Sequence, residues 1–201
     1  MGRHEDALRH YTEGLAIHRE IGDRPGEAVL LCNIGGAETK LGRYDEAEHH
    51  LTQALALDRE LRNATYEAFT IDFFGMLATR RGDPSTAAGH HRTAMALFHG
   101  LGDRHGEACS HNGLGEAARV AGRAGEAIEE HTAAYAIAVE PEVADLEQQA
   151  RAETGLAESH RIRGDPASAR DHYLRAQELW ARMNSPEAGR IAAILESLTP
   201  G

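Results

Sequence analysis

A small residue returns along this chain at an almost constant interval, and this interval restricts the fold more than any other feature. Glycines occur at positions 2, 42, 82, 122 and 164, so three intervals of 40 residues are followed by one of 42. An alanine lies five residues after each glycine, and another small residue lies seven further on. These columns contain Ala7, Ala47, Ala87, Ala127 and Ala169, then Gly14, Ala54, Ala94, Ala134 and Ala176. A period of this length indicates a repeat protein.

Each repeat is predicted to contain two helices. Small residues seven positions apart lie on the same face of a helix, because seven residues make almost two turns. Leu15, Leu55 and Met95 extend that apolar face after successive glycines. The segments before the glycines are also apolar on one face, as at Leu31 and Ile34. Each copy is therefore a helix, a turn and a helix, and only stacking against its neighbours buries its apolar face.

The copy that begins near Pro25 resembles the tetratricopeptide repeat. The resemblance rests on an order of apolar and small residues, namely Leu31, Ile34, Gly35, Gly42, Tyr44, Ala47, Leu51 and Ala54. The other copies replace the turn tyrosine of the family by Pro84, Ala124 and Pro166. The first-helix tryptophan of the family is replaced by Leu31, Ile71, His111 and Glu153. The period of 40 residues also exceeds the family's 34.

The resemblance covers nearly the whole chain and implies an all-α fold. It implies a right-handed α-solenoid of antiparallel helix pairs, with about 4.5 repeats and a C-terminal capping helix. The predicted boundaries are a half repeat at 1–22, repeats at 24–62, 64–102, 104–140 and 141–183, and the capping helix at 185–198. The first helix of the last repeat is predicted from about residue 143, and Asp83 and Asp165, each followed by a proline, are predicted to cap helices. We interpret residues 1–201 as one solenoid domain. The half repeat lacks a first helix, which predicts that the chain is a fragment of a longer protein or that another copy covers this end.

Composition restricts the partners and the compartment. Acidic residues outnumber basic ones, 32 against 21, and the formal net charge of −11 repels phosphate backbones. We therefore expect no nucleic-acid binding by this segment. The two cysteines lie two copies apart, too far for a disulfide bond between them. With no apolar run of 18 residues and no apolar leader after Met1, the chain is predicted to be cytoplasmic and not membrane-bound.

No motif in the sequence predicts catalysis, a cofactor or a metal site. Four of the 13 histidines share one repeat position, namely His10, His50, His90 and His172. Neighbouring copies of that position are separated by roughly a repeat's width, about 15 to 20 Å, so one ion cannot join them. Cys109, Ser110 and His111 are consecutive and point in different directions around a helix. We therefore predict that the chain is not an enzyme.

The candidate site is the concave groove that first helices line in the family. The predicted groove residues are Lys40, Phe69, Asp72, Met76, Arg80, Asn112, Glu116, Arg119, Arg151, Glu158 and Arg161. The cations at 40, 80, 119 and 161 end four successive first helices. One interpretation is that they offset the helix macrodipoles. The other is that they grip acidic side chains or a terminal carboxylate, with Phe69 and Met76 as apolar anchors.

The sequence thus predicts a non-catalytic scaffold that binds a protein or peptide in its groove. The G-D-R-x-G-E-A stretches, at Gly22 to Ala28 and Gly102 to Ala108, are similar to a bacterial subgroup. That subgroup forms C-terminal arms of large multidomain transcriptional regulators, which implies a sensor or interaction arm in signalling. Two alternatives stay open: a receptor for a short signalling peptide, and a homodimer formed through the uncapped N-terminal end.

Overall fold

The structure, a computed structural model, describes residues 2–198 and contains ten α-helices and no strand within that range. The helices are α1 (Gly2–Ile21), α2 (Arg24–Leu41), α3 (Tyr44–Glu60), α4 (Ala64–Arg80), α5 (Pro84–Leu101), α6 (Arg104–Val120), α7 (Ala124–Ala138), α8 (Leu146–Ile162), α9 (Pro166–Arg182) and α10 (Glu187–Ser197). The all-helical fold predicted from the repeat is therefore confirmed. Met1, the first position of the predicted half repeat, and residues 199–201 lie outside the described residues.

The glycine column marks the turns that were predicted from it. Gly42, Gly82 and Gly122 have positive φ angles of 79°, 79° and 75°, a left-handed conformation that glycine adopts without steric cost. Two aspartates placed before prolines cap the following helices, as expected. Asp83 accepts a hydrogen bond from the backbone N–H of Thr86, and Asp165 caps α9 in the same way.

The last long interval changes one helix start. The sequence pattern placed the first helix of the fourth repeat from about residue 143, whereas α8 begins at Leu146. Ala144 has a φ of 43°, which interrupts helical geometry there. The carboxylate of Asp145 then accepts hydrogen bonds from the backbone N–H groups of Glu147 and Gln148, at 2.8 and 3.0 Å. The helix starts where this cap satisfies its first donors.

The two columns of small residues form the innermost layer of the fold. Every alanine of the columns in α3, α5, α7 and α9 is 0 % exposed, namely Ala47, Ala54, Ala87, Ala94, Ala127, Ala134, Ala169 and Ala176. Small side chains at these points let neighbouring helices approach closely. Larger apolar residues fill the space beside them, as Leu31 and Leu51 do.

Contacts group the helices into two compact units. Unit 1 is Met1–Gly102 with α1 to α5, and unit 2 is Asp103–Gly201 with α6 to α10. Within each unit every helix packs against the next one along the chain. The interpretation of the whole chain as one domain with the boundaries given above stays a prediction.

The G-D-R-x-G-E-A stretches hold the turn that enters a repeat. Their aspartates cap α2 and α6. Their arginines contact the far end of the following helix pair's second helix: Arg24 donates to Glu60 at the end of α3, at 2.6 Å, and Arg104 donates to Glu140, two residues beyond α7, at 2.5 Å. These ion pairs are solvent-exposed, so water and salt screen them and each contributes little to stability. The motif is therefore explained by the helix pair itself.

Candidate binding walls

First helices of successive repeats line one side of each unit. In unit 1, α2 contacts α4, and in unit 2, α6 contacts α8. The second helices of those repeats, α3 with α5 and α7 with α9, make no such contact within residues 2–198. Each stack is therefore tighter on the first-helix side, and that side is concave. We call the exposed surface of α2 and α4 the unit 1 wall, and that of α6 and α8 the unit 2 wall.

The unit 1 wall carries a half-exposed apolar stripe along α4. Phe69, Phe73 and Met76 lie four and three residues apart, which places them on one helix face. Phe69 packs edge-on against Phe98 with 4.7 Å between ring centroids. Phe73 lies so close to Gly36 that a Cβ there would come within 2.7 Å of the ring. Phe73 was absent from the predicted groove, although its spacing from Phe69 was visible in the sequence.

Asp72, the acidic residue predicted for this wall, already has a partner. Asp72 Oδ1 lies 2.8 Å from Nδ1 of His91, a histidine of α5 that is buried. The ring of His91 covers Gly75, and no hydrogen-bond partner among the described residues reaches its Nε2. Asp72 is therefore fixed by the core beneath the wall, which leaves the apolar stripe as the wall's main contact surface.

Cations stand at the end of the unit 1 wall. Lys40 lies in the last turn of α2, and Arg80 is the final residue of α4; both are exposed. No carboxylate oxygen among the described residues lies within ion-pair distance of Arg80. A negative group of a partner would therefore meet Arg80 without displacing an internal ion pair.

The four predicted cations occupy two register positions along their helices. Lys40 and Arg80 precede their turn glycines by two residues, whereas Arg119 and Arg161 precede theirs by three. A shift of one position along a helix changes the direction of the side chain by about 100° around the helix axis. In unit 2 the position of Lys40 and Arg80 holds Val120 and Ile162, both exposed.

The charges of the unit 2 wall are largely paired with one another. Arg119 donates to both oxygens of Glu116, at 2.6 and 2.7 Å, and lies 3.4 Å from Glu158. The hydrogen bonds to Glu116 raise the pKa of Arg119 above its usual value. Glu158 is also 3.9 Å from Arg190 of α10, and Arg161 is exposed.

Asn112, the single groove asparagine predicted in unit 2, is only 1 % exposed. Its Oδ1 lies 3.0 Å from Nδ1 of His131, and its Nδ2 donates to the backbone oxygen and to Oε1 of Gln148, both at 3.1 Å. The same Gln148 oxygen accepts from Arg151 at 3.0 Å. A buried chain thus runs from α7 through α6 to Arg151 on the wall. Asn112 supports the wall from beneath it.

A cysteine, a histidine and an aspartate meet beside this wall. The sulfur of Cys109 lies 3.6 Å from Nε2 of His105, one helical turn earlier on α6. Nδ1 of the same ring lies 2.8 Å from Oδ2 of Asp145 at the start of α8. Sequence reasoning considered the neighbours Ser110 and His111 and missed His105, although the four-residue spacing was visible.

The other cysteine has a different environment. Cys32 is buried, and burial raises the pKa of its thiol to about 12. Close by, Thr70 donates a hydrogen bond of 2.9 Å to Asp58, whose second oxygen has no partner among the described residues. Burial also raises the pKa of Asp58, to about 6. A protonated thiol in these surroundings is unreactive.

Two equivalent pairs of positions in unit 2 form the same histidine–glutamate contact with the two residue types exchanged. His111 of α6 lies 2.7 Å from Glu130 of α7, and Glu153 of α8 lies 2.6 Å from His172 of α9. His111 and Glu153 occupy the position of the family's first-helix tryptophan. His172 of the repeated column therefore contacts a carboxylate of the neighbouring helix. No group of three His, Cys, Asp or Glu side chains suited to a metal ion occurs in the part of the chain that the structure describes.

Comparison with known proteins agrees with this fold. The family model described as the tetratricopeptide repeat matches residues 1–60. BtubC from P. vanneervenii is 21 % identical, with a TM-score of 0.65 over 91 % of this chain and 75 % of its own. A Rap protein solved in complex with the Competence and Sporulation Factor is 19 % identical, with a TM-score of 0.65 over 95 % of this chain. A putative kinesin light chain of Podosopora anserina with TPR-like repeats is 15 % identical, with a TM-score of 0.57, over 91 % of this chain and 89 % of its own.

Residues 1–60 thus carry the tetratricopeptide repeat, and the helix pairs of the structure have the fold of tetratricopeptide-like solenoids. The chain spans 57 % of the length of the Rap protein. A search of curated proteins gave no match. Between residues 2 and 198, no helix combines the length and the apolar character needed to cross a membrane.

Proposed function

We propose that the chain is a non-catalytic scaffold that binds a protein or peptide on its concave walls. The observation that carries this proposal is the half-exposed stripe of Phe69, Phe73 and Met76 on the unit 1 wall. Aromatic and methionine side chains gathered on one surface are typical of protein-binding sites. Arg80 at the end of the stripe favours a segment in which apolar side chains precede an acidic group.

We further propose that this scaffold is the interaction arm of a bacterial transcription or signalling regulator in the cytoplasm. The support is the match to the tetratricopeptide repeat and the G-D-R-x-G-E-A stretches, which are similar to those of such arms. The net charge of −11 supports a protein partner over a nucleic acid.

Two other functions each have one supporting observation. A receptor for a short signalling peptide is favoured by the similarity to the Rap protein, which was solved with the Competence and Sporulation Factor. Such a receptor needs side-chain amides on its wall, and of Asn33 and Asn112 only Asn33 is half-exposed. Self-association is favoured by the exposed Ile17 and Ile21 of α1. Light scattering of the isolated chain tests it, since a monomer at every concentration excludes it.

The proposed function is tested by selecting phage-displayed 12-residue peptides on the purified chain. We expect enriched peptides to combine apolar and acidic residues and to lose binding at least tenfold to the Met76→Glu, Arg80→Glu double variant. Arg62→Glu is the matched control, because Arg62 is an exposed arginine of unit 1 away from the wall. Peptides that bind the double variant as well as the wild type would exclude the unit 1 wall.

A further inference from the structure

The arrangement of Cys109, His105 and Asp145 is fixed by secondary structure. His105 and Cys109 are four residues apart on α6, so they share one helix face. Asp145 is the N-cap of α8. Its Oδ1 accepts hydrogen bonds from backbone N–H groups of the first turn, and its Oδ2 lies 2.8 Å from Nδ1 of His105. The carboxylate thus orients the imidazole so that Nε2 points to the sulfur.

The three side chains differ in exposure in a way that suits proton transfer. Cys109 is 8 % exposed, whereas the His105 side chain is 45 % exposed and that of Asp145 is 17 % exposed. A proton that leaves the sulfur can therefore pass through the imidazole to solvent. A thiol beside a histidine that a carboxylate orients is the arrangement that favours thiolate formation.

Arg151 is an independent feature at the same place on the next helix. Cys109 and Arg151 both precede their turn glycines by 13 residues, so they hold equivalent positions on the contacting helices α6 and α8. Arg151 is half-buried and is held by Gln148. No carboxylate among the described residues lies within ion-pair distance of its guanidinium. In a chain of net charge −11, an uncompensated arginine on a wall is suited to an anionic ligand.

We propose that Cys109 is a thiol-modification site that exchanges with a small disulfide carrying carboxylate groups, with Arg151 binding a carboxylate of that molecule. The site is separate from the apolar stripe of unit 1 and does not depend on the proposed scaffold function.

The exchange balances without any further reagent. The Cys109 proton passes to Nε2 of His105, and the imidazolium is stabilised by Asp145. The thiolate attacks one sulfur of the disulfide R–S–S–R, so that a Cys109–S–S–R bond forms and the original S–S bond breaks. The second sulfur leaves as a thiolate and takes up the proton from His105. One disulfide bond is lost and one is formed.

Cys32 provides an internal control within the same chain. It lies in the core of unit 1, with Thr70 and Asp58 among its polar neighbours, and no histidine of the described residues forms a hydrogen bond with it. A reagent that modifies thiols only during general unfolding would modify both cysteines at similar rates. Selective modification of Cys109 therefore reports its local environment.

The test is the rate of mixed-disulfide formation, followed by mass spectrometry of the whole chain and of its peptides. Two probes are used: oxidised glutathione, which is anionic, and 2-hydroxyethyl disulfide, which is neutral. We expect Cys109 to react at least about tenfold faster than Cys32 with both probes. His105→Gln is expected to slow both reactions about tenfold, because it removes the base while glutamine keeps the helix.

Two further substitutions separate the roles of the neighbours. Asp145→Asn keeps a good helix cap and removes the charge, so it should slow both probes without changing the thermal midpoint. Arg151→Gln should slow oxidised glutathione several-fold and leave 2-hydroxyethyl disulfide unchanged. Arg163→Gln is the matched control for net charge, since Arg163 is an exposed arginine at the end of the same helix.

The results that overturn the proposal are distinct. Equal rates at Cys109 and Cys32, or a Cys109 rate unchanged by His105→Gln, would exclude an activated thiol. Equal slowing by Arg151→Gln and Arg163→Gln would exclude a specific carboxylate contact. Either result leaves peptide binding by the unit 1 wall untouched, so failure of this site and failure of the scaffold function are read separately.

Discussion

Nδ1 of His131 lies 3.0 Å from Oδ1 of Asn112, and this contact joins two helices through side chains that are both almost completely buried. The second ring nitrogen, Nε2, has no hydrogen-bond partner among residues 2–198. Because the asparagine oxygen can only accept a hydrogen bond, the proton of the neutral histidine is on Nδ1 and Nε2 is unprotonated. The ring is wedged against Gly115 and Gly155, where a Cβ atom would come within 2.7 and 2.2 Å of it.

This burial predicts acid sensitivity. Burial lowers the pKa of His131 to about 4, while the charges of Glu116 and Glu130 oppose the shift and those of Arg151 and Arg119 add to it. The unfolded chain has the ordinary value of 6.5, so the folded state favours the neutral ring. Stability from this group is complete above pH 6.5 and is lost as the pH falls towards 4. The loss is on the order of 2 kcal/mol by pH 4.5.

Urea unfolding at pH 7 and pH 4.5 measures that loss. His131→Leu should show a smaller loss than the wild type over this range, whatever its stability at pH 7. Leucine is a suitable replacement because Leu51 fills the equivalent position against Gly35 in unit 1. Identical pH dependence in the two proteins would mean that His131 does not resist protonation.

Two glycines of unit 2 predict opposite effects of the same substitution. Gly155→Ala should lower the free energy of unfolding by about 1 to 3 kcal/mol, because the added methyl group meets the His131 ring. Gly125→Ala, in α7 of the same unit, meets nothing within 4 Å and should raise it by about 0.5 to 1 kcal/mol. Thermal denaturation of both variants checks the pair; a stabilised Gly155→Ala variant would show that the contact is not tight.

Replacing the buried carboxylate of Asp58 by a neutral side chain is expected to stabilise the protein. Its raised pKa of about 6 means that the ionised form is disfavoured in the folded state, so this group costs stability as the pH rises from 3.8 through 6. Asp58→Asn keeps an acceptor for Thr70 and should be more stable than the wild type at pH 7, by on the order of 1 to 3 kcal/mol. The difference should disappear near pH 4. Asp171→Asn, at an exposed position, should show neither effect.

The contacts His111–Glu130 and Glu153–His172 predict that histidine and glutamate can exchange places between the two helices. His111→Glu and Glu130→His should each lower the free energy of unfolding by about 1 to 2 kcal/mol, since each leaves two like groups or an unpaired group at the contact. The double variant reproduces the order that Glu153 and His172 already have in the next repeat. It should recover most of the loss in a double-mutant cycle. Simple additivity of the two losses would refute the equivalence.

Much of the fold was predictable from the sequence because helical periodicity acts locally. From Gly42 onwards the glycine column predicted the turns, and the alanine columns predicted residues that are fully buried in α3, α5, α7 and α9. The start of α8 was predicted too early because the extra residues of the last interval form a turn with Ala144 at positive φ, a conformation that alanine does not signal.

Less of the candidate site was predictable. Asp72 and Arg80 lie on the unit 1 wall, whereas Asn112 is buried beneath the unit 2 wall and Arg119 is paired with Glu116. The difference between Arg80 and Arg119 could have been predicted, because Arg80 precedes its turn glycine by two residues and Arg119 precedes its own by three. The contact of Cys109 with His105 could also have been predicted, because both residues lie on one helix. The contact of His105 with Asp145 could not, because it joins two helices.

The sequence by itself determined the helices, their turns and the faces they bury, because those depend on residues within one or two turns of each other. Only the tertiary structure decided which side chains meet across helices, such as Asn112 with His131, 19 residues away. Such meetings depend on the axial offset and crossing angle of two packed helices, and these are set by the combined shapes of all side chains between them.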